Sequence, residues 1–241
     1  MKKYKILHDD QSFLVVCKFA GLAVQSARAS EPDLMSMLRN ELAEREETNR
    51  YLGLVNRLDQ PVEGLVLVAR SEKAAADLSR QVADHDRMEK WYEALVCGKP
   101  AAPEGTLVDY LRKDGRTNTS GVVDKGTAGA KRSELRYEVI RTWEDVSLLR
   151  IRLLTGRHHQ IRVQLAHAGF PIVGDAKYGG AKTRPSVMGA AAPGRAAAQP
   201  ESRSSRLCLC ACRLTFRHPL TGERMDFRTE PTFPVPPTAR G

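Results

Sequence analysis

A chain of 241 residues, 41% of them hydrophobic, can enclose a sizeable core without staples, which excludes a disulfide-braced miniprotein and a wholly disordered chain. Its 38 lysines and arginines against 29 acidic residues give a net charge of +9, which suits a polyanionic partner but does not separate RNA from DNA or acidic lipid. Five cysteines without framework spacing, a basic start interrupted by His8, Asp9 and Asp10, and no apolar run near the about 18 residues of a membrane span together predict a soluble, unexported, cytoplasmic protein.

Residues 4–8 and 13–18 are β-type runs around the turn-forming DDQS, which predicts an opening hairpin. AGLAVQS then reads as a loop. From Asp33, the residues Leu34, Met37, Leu38 and Leu42 recur at helical spacing, with Ser30 and Asp33 as capping oxygens and a charged EREE end. Residues 65–69 have the length and valine content of a buried strand, and Ser71 opens a second helix with Ala75, Leu78 and Val82 on one face.

EKWYEALVCG is a further strand. Residues 107–111, a turn at Asp114 and Gly115, then 133–141 and 147–154 predict successive antiparallel strands. HQIRVQLAHAG predicts a short helix with Ile161, Leu165 and Ala168 inward and Gly169 ending it. From 180 to 205 the composition turns to Ala, Gly, Pro, Ser and Arg, too little apolar surface to offset ordering entropy, so 181–205 is expected to be a flexible basic insertion. A strand from 207 alternates, placing Cys208, Cys210, Cys212 and Leu214 on one face. A turn at HPLTGE and a last strand at 225–227 follow. Strands follow strands more often than they alternate with helices, so the fold class is α+β, a largely antiparallel mixed sheet with flanking helices in a single domain over 1–241.

Several groups invite chemistry. Asp59, two residues after Arg57, stands at the threshold of the apolar 65–69 run, where a lone buried carboxylate would cost many kcal/mol; it is therefore solvated at a loop or paired with a cation. The C-x-C-x-C spacing is poor for closing one tetrahedral metal site, and small buried side chains are the simpler reading. His158 and His159 are adjacent, point differently and lack a third ligand. TGRHHQIR places Arg157 and Arg162 at the mouth and first turns of a helix, suited to phosphate or to a carboxylate, against the plainer reading of a solvated basic face. Trp91 and Tyr92 face opposite ways on a strand, as core residues or as a stacking platform. These residues by themselves name no reaction.

Taken together, NRLDQPVEG, KWYEALVCG, LLTGRHHQIRVQLAHAGFPIVGDAKYGG and LCLCACRLTFRHPLTGE resemble, in order and spacing, the RluA-type pseudouridine synthases, over about residues 4–234. The resemblance implies an isomerase that converts uridines in structured rRNA or tRNA to pseudouridine by base flipping, within a central basic cleft. It implies Asp59 as the catalytic aspartate, Tyr92 beside the flipped base, and Arg162 as the cation paired with Asp59 on the cleft floor. Arg57, Arg157, His159 and Gln160 become the expected RNA contacts. No cofactor and no metal are expected, nor an obligatory protein partner, a membrane partner or a separate N-terminal RNA-binding domain, and the chain is expected to act as a monomer. A catalytically silent RNA-binding assembly factor using the same cleft is the alternative. The sequence departs from the family pattern at Asn56 (commonly His), Val62 and Glu63 (commonly Thr-Ser), Cys210 (commonly His) and in CKFAG (commonly KPAG), departures that bear on substrate choice and loop rigidity rather than on chemistry.

Overall fold

The computed structural model describes residues 2–26, 31–84, 86–179 and 206–236. The chain divides into two compact units, one of residues 1–91 with 210–231 and one of 92–209 with 232–241.

In the first unit, β1 (Tyr4–Asp9) and β2 (Phe13–Lys18) form the expected hairpin, with Asp10 accepting from the amides of Ser12 and Phe13 to close the turn. Helix α1 (Leu34–Glu44) starts at Asp33, whose carboxylate and backbone form a capping box with Ser36. The expected capping oxygen of Ser30 lies outside the described residues. Met35, not Met37, joins Leu34, Leu38 and Leu42 in the buried stripe. β3 (Gly53–Leu54) and β2 both pair antiparallel with β4 (Glu63–Ala69), every residue of which is buried. α2 (Glu72–Ala83), capped by Ser71, brings Ala74 and Leu78 onto β4, with Ala75 and Val82 at the margin of the same core.

β10 (Leu209–Arg217) pairs parallel with β4 at Cys210 and Ala211, and β11 (Arg224–Arg228) pairs antiparallel with β10. The parallel contact is close enough that a Cβ on Gly64, at φ +119°, would collide with the Ala211 backbone, so only glycine fits there. Phe13, Val15, Leu65, Leu67, Leu78, Leu214 and Phe216 form the core of this unit, with Phe13 and Phe216 edge to face at 5.0 Å.

The second unit takes up β5 (Glu89–Cys97) from Tyr92 and continues with β6 (Glu104–Asp114), β7 (Thr119–Val122), β8 (Lys131–Thr142) and β9 (Val146–Leu153). Their order is β5-β9-β8-β6-β7, and the β6–β7, β6–β8 and β8–β9 pairs are antiparallel. β7 is absent from the sequence reading: TSGV holds only one residue with strong strand preference, and its pairing with β6 decides it. α3 (Gln160–His167) packs on β6 and β7, followed by Gly169 at φ +90°. Ala168, expected to face inward, is exposed, because the helix has ended by then. The fold is α+β with a largely antiparallel sheet, as expected. The insertion 181–205 lies outside the described residues.

Candidate active site

In the first unit, Asp59 sits on a loop pinned from several sides. Val55 N donates to Leu67 O at 3.0 Å, and the Asn56 amide bridges β4, accepting from Leu67 N at 2.7 Å and donating to Leu65 O at 3.2 Å. Asn56, the departure immediately before the RLD motif, thus fastens the loop to the strand by standing in for a backbone partner. Leu58 and Val62 are buried on either side, and Val62 N returns to Asp59 O at 3.0 Å, closing a turn that holds Asp59 half-buried and leaves Gln60 exposed. A second loop meets this one: Gly21 N donates to Gln60 O at 2.9 Å, and Gln60 Nε2 donates to Gly21 O at 3.2 Å. Arg57 is exposed on the same loop, free to lie along a phosphate chain.

In the second unit the TGRHHQIR segment is built around buried polar contacts. Gln160, 3% exposed, accepts from Thr155 Oγ1 at 2.7 Å and Arg157 N at 3.0 Å, and donates to Glu134 O at 3.1 Å and Gln164 Oε1 at 2.9 Å. Its amide is fully used in shaping the loop. Arg157 is exposed, with Nε on Arg132 O at 3.1 Å. His159 occupies the left-handed region at φ 55° as the residue before α3, a conformation that costs a non-glycine residue on the order of 1–2 kcal/mol and is held by its surroundings.

Those surroundings come from Tyr178. Its hydroxyl accepts from Ser120 N at 2.9 Å, which directs its own proton to His159 Nδ1 at 2.7 Å and assigns the ring proton of a neutral His159 to Nε2. His158 stacks on His159 at 3.8 Å and meets Ser120 Oγ through Nδ1 at 2.9 Å.

Arg162 is 4% exposed and makes a two-pronged contact with Asp175, Nε to Oδ2 and Nη2 to Oδ1 at 2.8 Å each, while its guanidinium lies 5.1 Å from the centre of the Tyr178 ring. Asp175 is fully buried and also accepts from the amides of Lys177 and Tyr178 at 3.0 and 3.2 Å. Gly174, at φ +78°, lies so close to the Arg206 carbonyl that no Cβ fits, and this approach delivers Asp175 to Arg162.

Asp175 and Tyr178 have no role in the sequence reading; the signal for them is the Gly-Asp before a turn in GDAKYGG, a place where aspartate accepts from the amides two and three residues on. Tyr92 is 6% exposed on β5, and Trp91 points to the other side with Nε1 on Glu89 at 3.2 Å. The three clustered cysteines are buried, and among the described residues no group of three His, Cys, Asp or Glu side chains is arranged to hold a metal. No helix among them is long and apolar enough to cross a membrane.

The sequence profile of the family described as RNA pseudouridylate synthase matches residues 12–167, a span that includes Asp59, Tyr92 and Arg162. The chain belongs to this family. As a pseudouridine synthase it is an isomerase acting on uridines of RNA. An uncharacterized RNA pseudouridine synthase of Chlorobaculum parvum is 33% identical over 234 residues, covering 92% of this chain and 69% of its own. The ribosomal large subunit pseudouridine synthase D of Zymomonas mobilis is 30% identical over 230 residues, covering 94% and 68%. Among solved structures, human RNA pseudouridylate synthase domain containing 4 superposes with a TM-score of 0.72 over 94% of this chain and 88% of that one; at 21% identity this speaks for the fold.

Proposed function

We propose that Asp59 is the carboxylate that engages the target uridine, that Tyr92 offers its ring to the flipped base and its hydroxyl to the proton traffic, and that the charge of Arg162 favours ionised Asp59. The isomerisation conserves atoms: the N1–C1′ bond breaks, the uracil turns, a C5–C1′ bond forms, C5 gives up its proton and N1 takes one. Whether Asp59 adds to C1′ or acts as a base towards a glycal, it does so unprotonated. A uridine within folded RNA reaches a side chain only after leaving its stack, at a cost of a few kcal/mol.

Exposed Arg57 and Arg157 are suited to phosphate, while His159 and Gln160, buried and internally bonded, serve by holding the segment that carries Arg157 and Arg162. The observation that carries this reading is Asp59 itself, a half-buried carboxylate on a loop fixed to β4 and to the Gly21 loop, within the residues matched to the family. Large-subunit ribosomal RNA is the proposed substrate, supported by relatives named for it. A monomer working in the cytoplasm completes the proposal.

The test is incubation of RNA from cells lacking the gene with the protein and with Asp59→Asn, followed by chemical labelling of pseudouridine. Loss of product in the variant, with RNA affinity within about tenfold, is expected, since a carboxylate adds little ground-state attraction to phosphates. Turnover in Asp59→Asn removes Asp59 from its role, and product in transfer RNA alone removes the ribosomal assignment.

A further inference from the structure

The strongest unexplained group is a lysine. Lys18 ends β2, is 0% exposed, and directs its ammonium at three backbone carbonyls: Leu22 O at 2.7 Å, Gln60 O at 3.1 Å and Phe19 O at 3.3 Å. Three N–H bonds thus meet three acceptors. Two of the carbonyls belong to the 19–22 loop, and the third to the residue immediately after Asp59. Gly21 and Gln60 are already joined by two hydrogen bonds, so Lys18 stands where the two loops are stitched together.

A neutral donor would serve a purely mechanical clamp at lower desolvation cost, so the positive charge itself calls for a reason. The charges that reach the ammonium are those of Asp59, Glu63 and Cys17, all of which favour its protonated form, while burial opposes it and brings its pKa down to about 8. Tyr4, opposite Lys18 on β1, is turned to Glu41 instead. Being fully buried, Lys18 has no surface to offer a phosphate.

We propose that Lys18 is a positioning residue for Asp59, fastening the loop that carries the carboxylate and supplying it with a positive charge from within the first unit. The inference rests on the reading of Asp59 as the reacting carboxylate. In this arrangement the protonated amine holds the Gln60 carbonyl and favours ionised Asp59; the neutral amine loses one donor and the charge together. Catalysis then falls with loss of the Lys18 proton, while RNA affinity does not.

The experiment measures the single-turnover rate of pseudouridine formation from pH 6.5 to 9.5 on RNA from cells lacking the gene, with filter-binding affinity for that RNA at each pH. The set comprises the wild type, Lys18→Met, Lys18→Arg and Asp59→Asn, each with its melting curve. The wild-type rate is expected to fall above about pH 8, approaching tenfold per pH unit for loss of a single proton. Lys18→Arg, whose guanidinium keeps its proton throughout, should move this limb beyond the measured range. Lys18→Met should react about a hundredfold or more slowly at pH 7, show no such limb and bind RNA within about twofold of wild type, the pattern of a lost transition-state interaction.

A wild-type rate that stays flat through pH 9.5, a limb unmoved in a folded Lys18→Arg, or an unimpaired Lys18→Met each overturns the proposal. If Lys18→Met does not fold, the wild-type profile and the arginine variant decide. An active Asp59→Asn sinks the reading of Asp59 whatever Lys18 does, whereas an inactive Asp59→Asn beside normal Lys18 variants sinks this inference alone.

Discussion

Replacing Asp175 by Asn removes one charge from a fully buried pair and changes almost nothing in volume. Four hydrogen bonds converge on the carboxylate, two from Arg162 at 2.8 Å and two from the amides of Lys177 and Tyr178 at 3.0 and 3.2 Å. The asparagine oxygen can keep the two amides and Nη2, but its NH2 group then faces Arg162 Nε, donor against donor. One charge-assisted bond is lost, about 1.5–3 kcal/mol, and the guanidinium is left under-compensated; removing one partner of a buried pair costs about 3–5 kcal/mol in all. Since the isostere opens no cavity, the expected loss lies at the lower end, about 3 kcal/mol. Urea unfolding followed by circular dichroism reads this directly. With a slope of about 2 kcal/mol per molar, the midpoint should fall by about 1.5 M at unchanged slope. A midpoint within about 0.25 M of wild type would refute the reasoning and mean that this ion pair does not hold the α3 segment.

Tyr178→Phe keeps the ring beneath Arg162 but leaves Ser120 N and His159 Nδ1 without their partner; a loss of about 1–3 kcal/mol is expected, checked by the same unfolding curve. Asn56→Ala unpairs Leu67 N and Leu65 O on the loop before Asp59, so the rate of pseudouridine formation should fall while RNA binding holds, and faster hydrogen exchange at the Leu67 amide should accompany it. For Lys18, the folded pKa of about 8 lies below the ordinary 10.5, so the unfolded chain binds more protons between these values and stability rises with pH there. The difference in stability between wild type and Lys18→Met should therefore shift in favour of wild type from pH 8 to 9.5 and stay constant from pH 6 to 7, as measured by urea midpoints.

The opening hairpin, α1, α2 and β5 were legible because each follows a simple local rule. Phe13 to Lys18 is a short β-rich run beside DDQS, Asp33 is a capping residue before a helical leucine stripe, and Glu63 to Ala69 is an apolar run too short for a helix. β7 was not legible, because TSGV becomes a strand only through the neighbour it pairs with. In α3 the buried positions include Gln160, Arg162 and Gln164, whose partners are carbonyls, carboxylates and one another, so apolar periodicity could mark only part of the inward face. The same limit applies to the site. Asp59, Tyr92 and Arg162 stand in motifs that the family resemblance makes readable, whereas Asp175, Tyr178 and Lys18 act through contacts across 13, 19 and 42 residues of chain. No periodicity connects such distances; only the folded backbone does.

Lys18 also shows how a functional demand can be told from a structural one. At neutral pH the folded chain keeps a proton on a group that it holds less readily than the unfolded chain by about 2.5 pH units, which at about 1.36 kcal/mol per unit is on the order of 3 kcal/mol. That penalty is present in full below pH 8 and is relieved as the pH rises. If Lys18 were only a clamp for three carbonyls, relief of the penalty would leave catalysis untouched, because the neutral amine still donates twice. If its charge serves Asp59, catalysis must decline over the interval in which this group's penalty disappears. Opposite slopes of rate and of the Lys18 contribution to stability are thus the signature of a charge retained for the reaction, and parallel or independent slopes are that of a charge retained for the fold.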